Sequence, residues 1–202
     1  MTETFPGPSR MLRRTVGLVA LLNLAYFSLE FGVATAIGSV SLFADAVDFL
    51  EDAAVNSLVL AAMSWSAKRR AQVGMLLAGI LLIPSIATIW TAWHKITQPS
   101  TPGALPLTIT GLGALAVNLC CAFLLVRFRK HRGSLTRAAF LSARNDALAN
   151  VGIVAAGVLT AAVQSPWPDF AVGLGILAMN LDAARQVYRA AREEQRAAER
   201  NG

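Results

Sequence analysis

GSVSLFADAVDFLEDAAVN, residues 38–56, sets Asp45, Asp48, Glu51 and Asp52 in a stretch whose other residues are apolar enough to cross a bilayer. At about 100° per residue, Ser41, Asp45, Asp48, Asp52 and Asn56 fall within roughly 80° of arc, so one face of a helix carries a ladder of oxygen donors. That face cannot look at lipid. An unpaired carboxylate at the bilayer centre costs at least about 2.5–3.5 kcal/mol even on the lenient insertion scale, and this face stacks three of them. Cations, protons or buried basic partners must neutralise them, and the first two describe a transport site.

The composition around this stretch is that of a membrane protein. Of 202 residues 55% are hydrophobic and 15% charged, and the mean hydropathy is +0.52. About six apolar runs of roughly twenty residues recur along the chain, which predicts an all-α membrane protein, one bundle of six transmembrane helices. The net charge of +6 is no sign of nucleic acid, because the basic residues lie in the gaps between apolar runs, where the positive-inside rule wants them. Cys120 and Cys121 are adjacent inside an apolar run and read as packing residues, neither a disulfide framework nor a metal motif.

Residues 1–12 are polar, with Pro6 and Pro8, and are expected to be a loose N-terminal segment. Residues 13–190 make the six-helix unit. Its first helix is predicted from Thr15 to Ile37, too long for a signal-peptide core, and carries Asn23, Tyr26 and Glu30 on nearby faces. Glu30 reads either as the partner of an internal arginine or as an accessory proton carrier. Gly38 and Ser39 make a tight turn into the second helix, Val40 to about Ser66, closed by Lys68, Arg69 and Arg70. A third helix, about Ala71 to Trp93, holds Pro84 and is followed by a proline-rich break. The fourth runs from about Leu105 to Val126 with Asn118 inside it, and the fifth from about Ser134 to Val163. The sixth starts near Trp167 after the turn SPWPD and reaches about Tyr188. Residues 191–202 read as a short polar tail, with no cytoplasmic domain expected.

The loop charges assign the sides. Arginine and lysine are dense before the first helix, after the second, between the fourth and fifth, and after the sixth; the other gaps hold only Lys95 and Asp169. With six crossings, both termini are expected in the cytoplasm, the protein being multi-pass in the plasma (inner) membrane.

The fifth helix carries a second polar cluster, LSARNDALAN, in which Ser142, Asn145, Asp146 and Asn150 share a face of roughly 140°. Asp48 and Asp146 each lie nine positions in from Ser39 and Arg137, entering from opposite sides; at 1.5 Å per residue that is roughly 14 Å, so both reach the bilayer midplane. Both clusters also have the spacing Asp-x-x-x-Asn: Asp52 with Asn56, and Asp146 with Asn150. Ligands at i and i+4 on facing helices suit a four-cornered cation site.

These motifs resemble those of the cation diffusion facilitator transporters. GSVSLFADAVDFLED is similar to that family's second-helix signature, in which a Gly-Ser-x-Ser turn leads to His- or Asp-x-x-x-Asp. Asp146 with ALANVGIVAAG resembles its fifth helix, and WPDFAVGLGILAMNLDAARQVYR its sixth. The resemblance covers about residues 15–190. It implies efflux of Zn²⁺ or a related divalent cation (Co, Mn or Fe) in exchange for protons, with Asp48, Asp52 and Asp146 as metal ligands and no resident cofactor. Where the family usually has a fourth His or Asp, this chain has Ser142, so the site is all oxygen; Ser142, Asn145 and Asp45 are the additional ligand candidates, and Glu30 and Glu51 are candidates for a proton relay or a structural role. Bilayer, divalent cations and protons are the expected partners, and a homodimer is left open.

Two other classes compete. Acidic repeats on membrane helices also bind Mg²⁺-diphosphate, as in lipid-phosphate and prenyl transferases; but Phe49 follows Asp48 where a phosphotransferase needs glycine, and a second Asp-x-x-x-Asp pair fails at Ser142. A transport-inactive relative serving as a partner subunit is the other.

Overall fold

A computed structural model describes residues 10–62, 86, 88–126 and 134–179. Among them the chain is helical with short connections: α1 (Arg10–Ile37), α2 (Val40–Ala62), α3 (residues 88–97 of the described part), α4 (Ala104–Val126), α5 (Ser134–Val163) and α6 (Trp167–Met179). The all-α, six-helix architecture expected from the apolar runs is present, and the chain is an integral, multi-pass membrane protein. The start of α6 and the bounds of α5 fall where the sequence places them. By contrast, α1 begins five residues early, because Arg10, Arg13 and Arg14 continue the helix into the interface instead of preceding it. The third helix also outruns its expected end at Trp93: His94 and Lys95 are helical, not loop. The earlier part of that helix, with Pro84, and the basic segment 127–133 lie outside the described residues.

Helices α1, α4 and α5 each hold a window long and apolar enough to span a membrane. The second helix, which carries four carboxylates, holds no such window among the described residues. Exposed Leu18, Leu21, Ile109, Phe123, Val158 and Leu159 line the outside of the bundle, the surface a bilayer requires. Exposed Trp90, Trp93 and Trp167 lie near the connections at one end, the placement of an interfacial aromatic belt.

Packing pairs α1 with α2 and α4 with α5; α1 also meets α4, and α2 touches α4 and α5. Leu42, Phe43 and Ala44 from α2 meet Ala34, Leu107, Ala149, Ile153 and Ile176 in one apolar core. Phe49 stacks on Tyr26 with ring centroids 4.9 Å apart, and the Tyr26 hydroxyl donates to the Thr110 carbonyl at 2.6 Å, tying α1 to α4.

The α1–α2 turn is closed by local chemistry. Gly38 sits at φ 64°, the left-handed conformation that ends helices and that a β-carbon disfavours. The Ser39 amide reaches back to the Ala34 carbonyl at 3.1 Å, and Ser39 then caps α2 by accepting the Leu42 amide at 3.2 Å. The remaining first-turn amides of α2 find their acceptor 129 residues away, in Asp169 of α6. Its carboxylate accepts from Val40 N at 2.9 Å, Ser41 N at 3.2 Å, and the Ser39 and Ser41 hydroxyls at 2.6 Å each. Lys95 of α3 approaches the same carboxylate at 3.6 Å and donates to the Gly38 carbonyl at 2.6 Å. Asp169 lies in the first turn of α6 as well, so one negative charge faces two helix N-termini and an ammonium, a well-compensated position for a buried carboxylate. Gly173, one turn further along α6, brings the backbones together: a Cβ there would sit 2.7 Å from the Val40 carbonyl carbon and 2.8 Å from Ser41 N.

Candidate functional site

The acidic ladder of α2 points into the bundle, as its face predicts. Ser41 and Asp45 are fully buried, Asp48, Asp52 and Asn56 are half-buried, and Glu51, off the ladder's face, is exposed. Burial therefore falls along the ladder from the clasped end of α2 towards the other. Asp48 lies within the electrostatic reach of Asp45, Glu51 and Asp52 on its own helix and of Asp146 across the α2–α5 contact. The two clusters, 98 residues apart in sequence, are thus within electrostatic reach of one another through Asp48 and Asp146. Asp146 is half-buried. The side chains of Ser142 and Asn145 lie outside the described residues.

A shared local device shapes both helices. The Asn56 amide nitrogen donates to the Asp52 carbonyl at 2.8 Å, and the Asn150 amide nitrogen to the Asp146 carbonyl at 2.8 Å. Each Asn thereby ties its donor end to the backbone one turn back and frees its oxygen. In Asn150, which is fully buried, that oxygen has no hydrogen-bond partner among the described residues. A buried amide oxygen left without a donor costs about 1–3 kcal/mol, and a cation is one group that would relieve it. The Asp-x-x-x-Asn spacing is visible in the sequence; the direction of the amide is not.

Glu30 and Asp45 form a further buried group beside the ladder. Both are fully buried, neither carboxylate finds a hydrogen-bond donor among the described residues, and each lies in the field of the other. Two carboxylates in such contact cannot both keep a charge without a counter-ion or a shared proton. Asn23, two turns earlier on the same face of α1, is also fully buried; its amide nitrogen has no acceptor among the described residues, while the Cys121 thiol points at its oxygen from 3.9 Å. Cys120, by contrast, is exposed. Lys95 and Asp169, which the loop-charge count treats as incidental, turn out to be a buried partnership. A lone lysine and a lone aspartate in the two charge-poor gaps were the only trace of it in the sequence.

The arrangement defines a class: a helical membrane protein that carries acidic side chains on two helices in contact with one another, α2 and α5, although among the described residues no three acidic, histidine or cysteine side chains are grouped closely enough to hold a metal ion. Residues 16–194 match the family model described as "Cation efflux transmembrane domain", and the chain belongs to that family. It is similar to the zinc transporter ZitB of Yersinia pestis, 28% identical over 134 residues, which is 60% of this chain and 43% of that protein. The zinc transporter ZitB of Yersinia pseudotuberculosis serotype I (strain IP32953) is equally similar, at 28% over 134 residues and the same shares. The matched stretch thus spans less than half of those relatives' length.

Proposed function

We propose that this chain carries divalent metal cations out of the cytoplasm in exchange for protons, through a site formed by Asp48 and Asp52 of α2 and Asp146 of α5. The observation that supports the reading is that Asp48 lies within electrostatic reach of Asp146 across the α2–α5 contact, where the ladder is half-buried instead of sealed. Half-burial suits a cargo site: ligands must be held out of lipid yet be reachable. Three carboxylates around one dication leave an excess negative charge, so departure of the metal is balanced by arrival of protons. Glu30 with Asp45 is the buried pair best placed to hold them, whereas exposed Glu51 is not. The family and the names of its relatives speak for cation transport over lipid-phosphate or prenyl transfer, and for zinc among the cargoes.

The donor set argues for tolerance. Zn²⁺ favours tetrahedral sites with imidazole, thiolate or carboxylate, while Mn²⁺ and other harder ions accept oxygen and water. With serine at position 142, and Asn145, Asn150 or Asp45 to complete the shell, manganese and cobalt are expected to compete with zinc. Uptake of zinc and of manganese into sealed proteoliposomes, with a pH gradient imposed and then collapsed by an ionophore, tests the proposal. Antiport requires uptake to slow when the gradient is collapsed; uptake indifferent to pH would leave a uniporter, and no uptake of either ion would end the transport reading.

A further inference from the structure

The clasp between α2, α3 and α6 takes no part in the site as described, and its geometry bears on how that site moves. We propose that Asp169 is a positioning residue for cation passage: with Lys95 it pins the clasped end of α2 to α6 and α3 as a pivot that stays closed throughout transport, while the acidic ladder shifts about it. The inference rests on the transport reading above. Four hydrogen bonds and an ammonium converge on one carboxylate, and Ser39, Ser41 and Asp169 are all 0% exposed, with Lys95 at 3%.

An opening gate would have to replace these contacts with water, yet the carboxylate and the four groups that donate to it are buried, and the cluster borders a cavity at its Gly38 and Lys95 edge. Each hydrogen bond to a buried charge that is broken without replacement lowers the open population by about ten- to a hundred-fold. The four donors to Asp169 together make a gate that opens at every turnover a poor use of this geometry. Backbone contact reinforces the point, since Gly173, having no side chain of its own, lets α6 lie against the backbone of the first turn of α2. Pro166 and Pro168 bracket the start of α6 and stiffen its entry. Exposure along α2 runs the same way: Ser41 and Asp45 next to the clasp are sealed, and Asp48, Asp52 and Asn56 are progressively further from it and partly reachable. The closed end and the reachable end of the ladder are therefore opposite ends of one helix. A helix pinned at one end moves most at the other, which is where the candidate ligands lie.

Val40 supplies the test, because its side chain is fully buried while its backbone amide makes the contact to Asp169. In a chain carrying Cys120→Ala, Cys121→Ala and Val40→Cys, a membrane-impermeant thiol reagent is supplied on both faces of proteoliposomes, at rest and during zinc uptake. Exposed Ser100, as Ser100→Cys, is the reference. A fixed pivot predicts labelling of Val40→Cys at least about a hundred-fold slower than the reference, unchanged by turnover; acceleration towards the reference rate during uptake would overturn it. Asp169→Asn is expected to lower the uptake rate per folded molecule about ten-fold or more and to shift the zinc concentration for half-maximal uptake. A purely structural role would reduce the yield of folded protein and leave half-saturation unmoved, which would also overturn the proposal. Should Asp169→Asn fail to fold, the Val40→Cys labelling decides alone. Zinc uptake by the unsubstituted chain in parallel vesicles checks the transport reading separately.

Discussion

Replacing Gly173 with alanine adds one methyl group where the structure has no space for it. The new Cβ would lie 2.7 Å from the Val40 carbonyl carbon, 2.8 Å from Ser41 N and 2.8 Å from Val40 Cγ1. Two of these neighbours are backbone in the first turn of a helix and cannot rotate away. Ordinary contact needs roughly 3.5 Å, so α6 must retreat by about 0.7 Å or more. Asp169 sits one turn earlier on the same helix and would retreat with it, stretching its 2.6 Å contacts with Ser39 and Ser41 to near the limit of a hydrogen bond. Overpacking of this kind costs about 1–3 kcal/mol, and weakening a hydrogen bond to a charged group adds up to about 1.5–3 kcal/mol. Against this stands a gain of about 1 kcal/mol from helix propensity. The net expectation is a loss of about 1.5–5 kcal/mol. Gly175, two residues on, is the internal control: nothing lies within 4 Å of its Cβ position, so Gly175→Ala should be neutral or stabilising by up to about 1 kcal/mol. At about 2–4 °C per kcal/mol for a chain of this size, thermal unfolding of the purified protein in detergent should separate the two variants clearly, Gly173→Ala melting lower. If Gly173→Ala melts with or above the parent, α6 does not lie on the backbone of α2 and the clasp is described wrongly.

The remaining expectations concern the site and its surroundings. Asp48→Asn and Asp146→Asn should each reduce zinc uptake in proteoliposomes at least ten-fold without loss of folded protein, because each removes a carboxylate from the point where α2 meets α5; uptake at the parental rate from either would remove that residue from the ligand set. Ser142→His should raise the preference for zinc over manganese in competition uptake, since it adds an imidazole one turn from Asp146; an unchanged metal ranking would put residue 142 outside the shell. Lys95→Met leaves the Asp169 charge buried without its ammonium, and breaking such a pair costs about 3–5 kcal/mol; the double variant Lys95→Met with Asp169→Asn should recover part of that in the same melting assay. Lys95→Met as stable as the parent would mean that the helix ends alone hold the carboxylate.

The sequence was most legible where one physical rule acts locally. The bounds of α5, the Gly38–Ser39 turn and the start of α6 follow from apolar run length, a positive-φ glycine with a serine cap, and a proline pair. The inward facing of the ladder follows from helical periodicity. What escaped were contacts across long stretches of chain. Asp169 and Lys95 read as scattered loop charges because a residue's partner 74 or 129 positions away leaves no periodic signal. The N-terminal extension of α1 escaped for another reason: arginines mark an interface, but they do not end a helix. The pairing of Glu30 with Asp45 was likewise open, since the sequence shows two acids on neighbouring helices and not whether they face one another.

The trans cap on α2 has a consequence for biosynthesis. Chains enter the membrane from the N-terminus onward, so α1 and α2 are made long before α6. Until the sixth helix arrives, the Val40 and Ser41 amides have no carboxylate to meet them, and unsatisfied amides at a membrane edge are held by water instead. The first hairpin must therefore wait, with that end still wet, through the synthesis of most of the chain. The sixth helix is the one that dries and fastens the second, so a ribosome stalled before Asp169 would leave the acidic helix without its anchor.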